Sequence, residues 1–137
     1  MNKVVIITTG GTIAMKRSPM VGGAVPMLKG DDFLAQLPRG TVELAFEEFS
    51  NLPSSHLTPT QALELGQRIE AALGAPDVDG VVVTHGTDTL EETAYLLDLT
   101  IGSQKPVVVT GAMRTATMPG YDGMVNLAAA IRVASAP

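Results

Sequence analysis

The sequence predicts an α/β domain, a three-layer αβα Rossmann-like arrangement with a mainly parallel sheet, on two observations. Four short apolar runs, Val4 to Thr8, Val42 to Phe46, Gly80 to Thr84 and Pro106 to Thr110, are separated by stretches with helical spacing. Three of the four are nearly continuous in Val and Ile, the pattern of strands covered on both faces. Parallel neighbours need a crossover helix between them, and the alternation supplies one each time.

The first run, Val4 to Thr8, reads as a strand that breaks at Gly10-Gly11. A flap is expected over about residues 15–30, because Lys16 to Gly30 is rich in Gly, Pro and Met and has little period. Asp31 to Leu37 reads as a short helix. Pro59 to Leu73 sets Ala62, Leu63, Ile69, Ala72 and Leu73 at helical spacing behind Thr58 as N-cap. Thr89 to Leu99 and Tyr121 to Ala134 complete the helices. Residues 1–137 form one domain, since this length buries one core and not two. A four-stranded parallel sheet leaves an edge strand, which either a partner chain or further chain is expected to cover.

Charge and composition exclude several function classes. Nine Lys and Arg in a chain of net charge −5 leave no basic stripe for phosphates, so neither nucleic acid nor an anionic membrane is an expected partner. A small neutral or zwitterionic ligand fits better. There is no cysteine, which removes disulfides, thiolate nucleophiles and sulfur-ligated metals. With His56 and His85 as the only histidines, a metal site is not expected. Val4-Val5-Ile6-Ile7 is too short for a signal sequence and no run reaches membrane-spanning length, so the expected location is cytoplasmic.

In open parallel sheets ligands bind beyond the carboxyl ends of the strands, here the loops beginning at Thr9, Glu47, His85 and Gly111. In Thr8-Thr9-Gly10-Gly11-Thr12-Ile13-Ala14 two glycines let a ligand approach the backbone, and three threonines offer a nucleophilic hydroxyl or, more plainly, turn caps. Neither phosphate-loop spacing is present. In Thr84-His85-Gly86-Thr87-Asp88-Thr89, Thr87 and Asp88 stand at a helix start, where free N–H groups hold an oxyanion and a carboxylate holds an ammonium. The plain alternative is a Thr or Asp N-cap, with Glu91 and Glu92 complementing the helix dipole. Ser54-Ser55 can bind a carboxylate or cap the next helix, and His85 reads as a packed residue. Ala112-Met113-Arg114 and Asp122-Gly123 with Asn126 are unremarkable singly.

Together these segments resemble the bacterial-type L-asparaginase (asparaginase/glutaminase) family. Thr8 to Ala14 and Thr84 to Ala94 resemble its two signature segments, and Lys105 to Arg114 and Asp122-Gly123 with Asn126-Leu127 its next ones in order. The resemblance runs from about Val4 to Ala134, the family's N-terminal domain without its smaller C-terminal one. It implies cofactor-free hydrolysis of the side-chain amide of L-asparagine, or L-glutamine, through an acyl-enzyme in a homo-oligomer. By motif, Thr12 resembles the nucleophile and Thr87 the second catalytic threonine. The backbone of Gly11 and Gly86 lines the substrate, Asp88 takes its ammonium, Ser54 its α-carboxylate, and Ser55 stands where some members carry Gln.

The flap segment Lys16 to Leu28 has no tyrosine where many members have one, and the family's lysine beside the second threonine comes from a strand that these residues do not reach. Lys16 and Tyr121 are the candidate substitutes; Lys105 precedes its strand and belongs at the opposite end of the sheet. Three other readings follow from the same residues. They are an amino-acid-binding domain lacking the base, the ammonia-generating subunit of an amidotransferase, and a nucleotide-binding module built on Gly10-Gly11.

Overall fold

The computed structural model describes residues 2–11, 15–18, 23–26 and 42–136. Thr12, the helix expected at Asp31 to Leu37 and half of the expected flap lie outside the described residues. Strands β1 (Asn2–Thr8), β4 (Val42–Glu48), β5 (Gly80–Thr84) and β6 (Val107–Thr110) form one parallel sheet in the order β4-β1-β5-β6. Ile6 lies between Phe46 and Val82 in that register. Within the expected flap, β2 (Met15–Ser18) pairs antiparallel with β3 (Gly23–Pro26). This hairpin was not expected, because Gly and Pro mask any strand period; Pro26 is tolerated because each strand of a two-stranded sheet is an edge.

Three helices complete the described fold: α1 (Pro59–Leu73), α2 (Leu90–Thr100) and α3 (Gly123–Ala134). α1 starts where its sequence dictates. The Thr58 hydroxyl accepts from the Gln61 N–H at 3.2 Å, Gln61 Oε1 accepts from the Thr58 N–H at 2.9 Å, and Pro59 opens the first turn. Such a cap contributes about 1 kcal/mol. Beyond its other end Lys105 Nζ donates to the Leu73 and Ala75 carbonyls at 2.8 and 2.9 Å, where a cation also complements the helix dipole.

Side chains alternate across the strands, so the sheet has two apolar faces. On one, Val5, Ile7, Val81 and Val83 pack against Leu65, Ile69 and Leu73 of α1 and Leu97 of α2. On the other, Val4, Ile6 and Val82 pack against Leu127, Ala130, Ile131 and Ala134 of α3. The expectation of double burial holds for the central strands β1 and β5. It fails for β6, whose Val107 to Thr110 are only half-buried because that strand is an edge of the described sheet.

Candidate active site

The strand order reverses between β1 and β5, and the crevice beyond their carboxyl ends is where doubly wound sheets bind ligands. The loops after these strands meet there at backbone contact. Gly10 and Gly11 have φ of 106° and 81°, the left-handed region that side chains avoid. A Cβ on Gly11 would lie 2.5 Å from the Gly86 N and Cα, and a Cβ on Gly86 would lie 2.6 Å from Ser54 Oγ. Three strand-end loops are thus stacked with no room for a methyl group. Hydrogen bonds lock them together: the Thr9 hydroxyl donates to the Thr84 carbonyl at 2.8 Å, the Ser50 hydroxyl to the Thr9 carbonyl at 2.9 Å, and the Thr89 hydroxyl to the Ser54 carbonyl at 2.9 Å.

That last bond bears on the plain cap reading of the Thr87-Asp88 segment. The N-cap of α2 is Thr89, neither Thr87 nor Asp88, and its hydroxyl is spent on Ser54 rather than on its own helix. Thr87 is half-buried and Asp88 exposed, and neither side chain makes a hydrogen bond or ion pair among the described residues. Ser54 is buried in a short 3-10 turn, Ser54–His56, whereas Ser55 points out to solvent. The structure therefore brings Gly11, Gly86, Ser54 and Thr87 together, sets Asp88 at the rim, and leaves Ser55 outside. Among the described residues the buried side-chain polar atoms with no partner are Ser54 Oγ, in the 3-10 turn after β4, and Thr84 Oγ1 and His85 Nε2, at the carboxyl end of β5. Unsatisfied buried groups are costly, and of the three Ser54 Oγ is the one that lies against the Gly86 backbone, where a Cβ would come within 2.6 Å of it.

His85 is fully buried, and its Nδ1 lies 2.7 Å from the Gly86 carbonyl. A carbonyl only accepts, so Nδ1 carries the proton and Nε2 is the bare acceptor. Burial holds the pKa below the ordinary 6.5 against the raising effects of the Gly86 carbonyl and Glu92. Above 6.5 the ring is neutral folded or unfolded and its contribution is fully present. As pH falls below 6.5 the unfolded chain takes up the proton first, so stability drops by up to about 1.4 kcal/mol per pH unit until the folded pKa is passed. The urea midpoint is therefore expected to fall between pH 7 and pH 5, and His85→Gln to flatten that fall. Asp77 and Asp122, both held below the ordinary 3.8 by hydrogen bonds, contribute only at lower pH. An unchanged slope in the variant would contradict the buried neutral ring.

A fourth loop, after β6, forms the far wall. A cleft of about 250 Å³ is bounded by Thr87, Gly111, Met113, Asp122 and Asn126. A Cβ on Gly111 would come 2.6 Å from the His85 carbonyl oxygen and 3.3 Å from Thr87 Cγ2. Asp122 Oδ2 and Oδ1 accept from the Met113 and Arg114 N–H groups, each at 3.0 Å, and Asn126 Nδ2 donates to the Gly111 carbonyl at 3.0 Å. Sequence reasoning named this pair only as a segment of the resemblance and gave it no role; the available signal was the one-turn spacing of Asp122 and Asn126.

Tyr121, a candidate base by sequence, is half-buried against the α3-side core. Burial, with the charge of Asp122 adding to it, pushes the phenol up to about 12, so it stays protonated at neutral pH. Lys105 is at the opposite end of β6, as expected. A larger cleft of about 320 Å³ also lies away from the site, between α2 and the edge strand β6; its cation is that same committed Lys105. The nucleotide reading loses its geometry, since the next described element after Gly10-Gly11 is strand β2 and not the helix start a phosphate needs. Among the described residues no His, Cys, Asp and Glu cluster could hold a metal, and no helix is long and apolar enough to cross a membrane.

Comparison with known proteins supplies the family. The chain is 44% identical over 137 residues to an L-asparaginase of Bacillus licheniformis, covering 98% of this chain and 42% of that protein. It is 41% identical over 142 residues to a glutaminase-asparaginase of Pseudomonas aeruginosa, covering 98% and 38%. The fold superposes with a TM-score of 0.88 on a probable cytoplasmic L-asparaginase from Campylobacter jejuni, at 40% identity, covering 99% of this chain and 42% of that one. The chain thus spans about two fifths of the length of the relatives it matches. The family model for the asparaginase N-terminal domain matches residues 3–137, and the chain belongs to the asparaginase family.

Proposed function

We propose that this chain carries the nucleophile and substrate-binding centre of an amidohydrolase that converts L-asparagine to L-aspartate and ammonia. The observation that carries the reading is the stacking of Gly11 on Gly86 and of Gly86 on Ser54, which brings the unpaired Ser54 hydroxyl beside the Thr87-Asp88 segment, whose exposed carboxylate is unpaired among the described residues. Thr12 follows directly on Gly11 and is its nucleophile. The Thr12 hydroxyl oxygen bonds to the amide carbon while the C–N bond breaks; ammonia leaves with the hydroxyl proton and an acyl-threonine remains. Water then hydrolyses that ester, returning the hydroxyl and releasing aspartate. Thr87 and the N–H groups beside it face the oxyanion, which needs preorganised donors. Asp88 at the rim takes the substrate ammonium, and the orphaned Ser54 hydroxyl its α-carboxylate.

One observation favours a second reading, an amino-acid-binding domain without turnover. Of the two candidate bases, Lys16 and Tyr121, the second has its phenol pushed up to about 12 and so is protonated at neutral pH, while Lys105 lies at the far end of its strand. The test is ammonia release by the purified chain from L-asparagine, with L-glutamine alongside, and calorimetric titration with L-aspartate. Release establishes the hydrolase. Aspartate binding without release establishes the binding domain, and neither, from a folded chain, removes both.

A further inference from the structure

We propose that Asp122 and Asn126 are positioning residues of this site, a two-residue clamp that fixes Gly111 to Arg114 as the wall opposite Thr87. The proposal rests on the amino-acid site described above. Asp122 occupies the N-cap of α3, a position where aspartate ordinarily accepts from its own helix, yet its side chain makes no capping bond. Both carboxylate oxygens turn back instead to two successive N–H groups, Met113 and Arg114. Asn126, one turn into the helix, donates to the Gly111 carbonyl and, at 3.2 Å, to Asp122 Oδ2. The asparagine thereby orients the carboxylate that holds the loop.

The held segment needs such support. β6 ends at Thr110, so the ladder bonds that order a strand stop one residue before Gly111. Gly111 nevertheless lies against the Thr87 loop closely enough that a Cβ would collide with the His85 carbonyl. Arg114 Nη1 donates to the Pro119 carbonyl at 2.7 Å and closes the outer part of the same loop. Met113 is 76% exposed, an apolar side chain held at the cleft with little packing of its own, so the clamp rather than burial sets its place. Three backbone groups are thus fixed by the N-cap and first-turn side chains at the start of α3, at the cleft that Thr87 also lines.

The experiment uses the full chain with L-aspartate as probe. Asp122→Asn keeps the shape but turns one acceptor into a donor facing a backbone N–H. It is expected to displace the Met113 and Arg114 amide resonances and weaken aspartate binding at least tenfold, with the melting temperature moving only a few degrees. Asn126→Ala should act in the same direction through Gly111, and decides the question if the first variant does not fold. Displaced amides with aspartate affinity within twofold of the parent would overturn the proposal, leaving the clamp a loop staple. Lost affinity with unmoved amides would overturn it too, since the side chains would then act on the ligand directly. A parent chain that binds no aspartate removes the site reading itself, and the clamp's role with it.

Discussion

Gly11→Ala is expected to lower the stability of the chain by about 2 to 5 kcal/mol, the sum of about 1 to 2 for a left-handed side-chain residue and about 1 to 3 for overpacking. Its φ of 81° is one penalty, and the added methyl would sit 2.5 Å from backbone atoms of Gly86, which cannot swing aside as a side chain would. Gly86→Ala should cost less. Its methyl meets Ser54 Oγ at 2.6 Å and Cβ at 2.8 Å, and its own backbone is not in the left-handed region. Gly102→Ala is the control, with only Glu70 Oε1 at 3.7 Å and an ordinary backbone. Urea unfolding should rank the losses Gly11, then Gly86, then Gly102, and aspartate binding should disappear in the first two. A Gly11 variant within about 0.5 kcal/mol of the parent, the range of a neutral surface change, would mean that the two loops do not touch as described.

The reason that glycine matters was legible before the fold was known, and the contrast with less legible residues is instructive. Gly11 and Gly86 stand at strand ends, where alternation alone says that a ligand crevice opens. α1 was legible to the residue because Thr58, Pro59 and Gln61 state its start in chemical terms. The starts of α2 and α3 were less so, and for one physical reason. Thr89 and Asp122 are cap residues whose side chains leave their own helices to hold neighbouring loops, a tertiary use that local patterns do not encode. Ser54 and Ser55 are identical in type, and only the 3-10 turn decides that the first is buried against Gly86 while the second faces water. Tyr121 was a candidate base by residue type; its half-buried setting against the α3-side core, which pushes its phenol up to about 12, is not visible in the sequence. The Val and Ile run of β6 promised two covered faces, but periodicity says nothing about which strand becomes an edge.

Thr12→Val and Thr87→Val should separate chemistry from binding, because valine keeps the branched shape and removes only the hydroxyl. If Thr12 is the nucleophile, its loss should abolish ammonia release while aspartate affinity stays within about threefold, since uniform binding is untouched. Thr87→Val should lower release by about 10²- to 10³-fold, the effect of deleting one oxyanion donor, and Thr87→Ser should recover most of it. Thr87 is half-buried and lies near Gly111, so the isosteric change leaves its neighbours in place and the melting temperature should hold. The double variant should be no slower than Thr12→Val alone, because residues acting on one step are not additive. Asp88→Asn is the converse: its carboxylate is exposed and unpaired among the described residues, so the folded chain should persist while aspartate affinity falls. Should the parent chain bind aspartate without releasing ammonia from asparagine, the affinity arm still discriminates. Thr12→Val and Thr87→Val would then bind nearly as the parent does, and only Asp88→Asn would not. Full-rate release by Thr12→Val would remove the threonine nucleophile from the mechanism, whatever the other variants do.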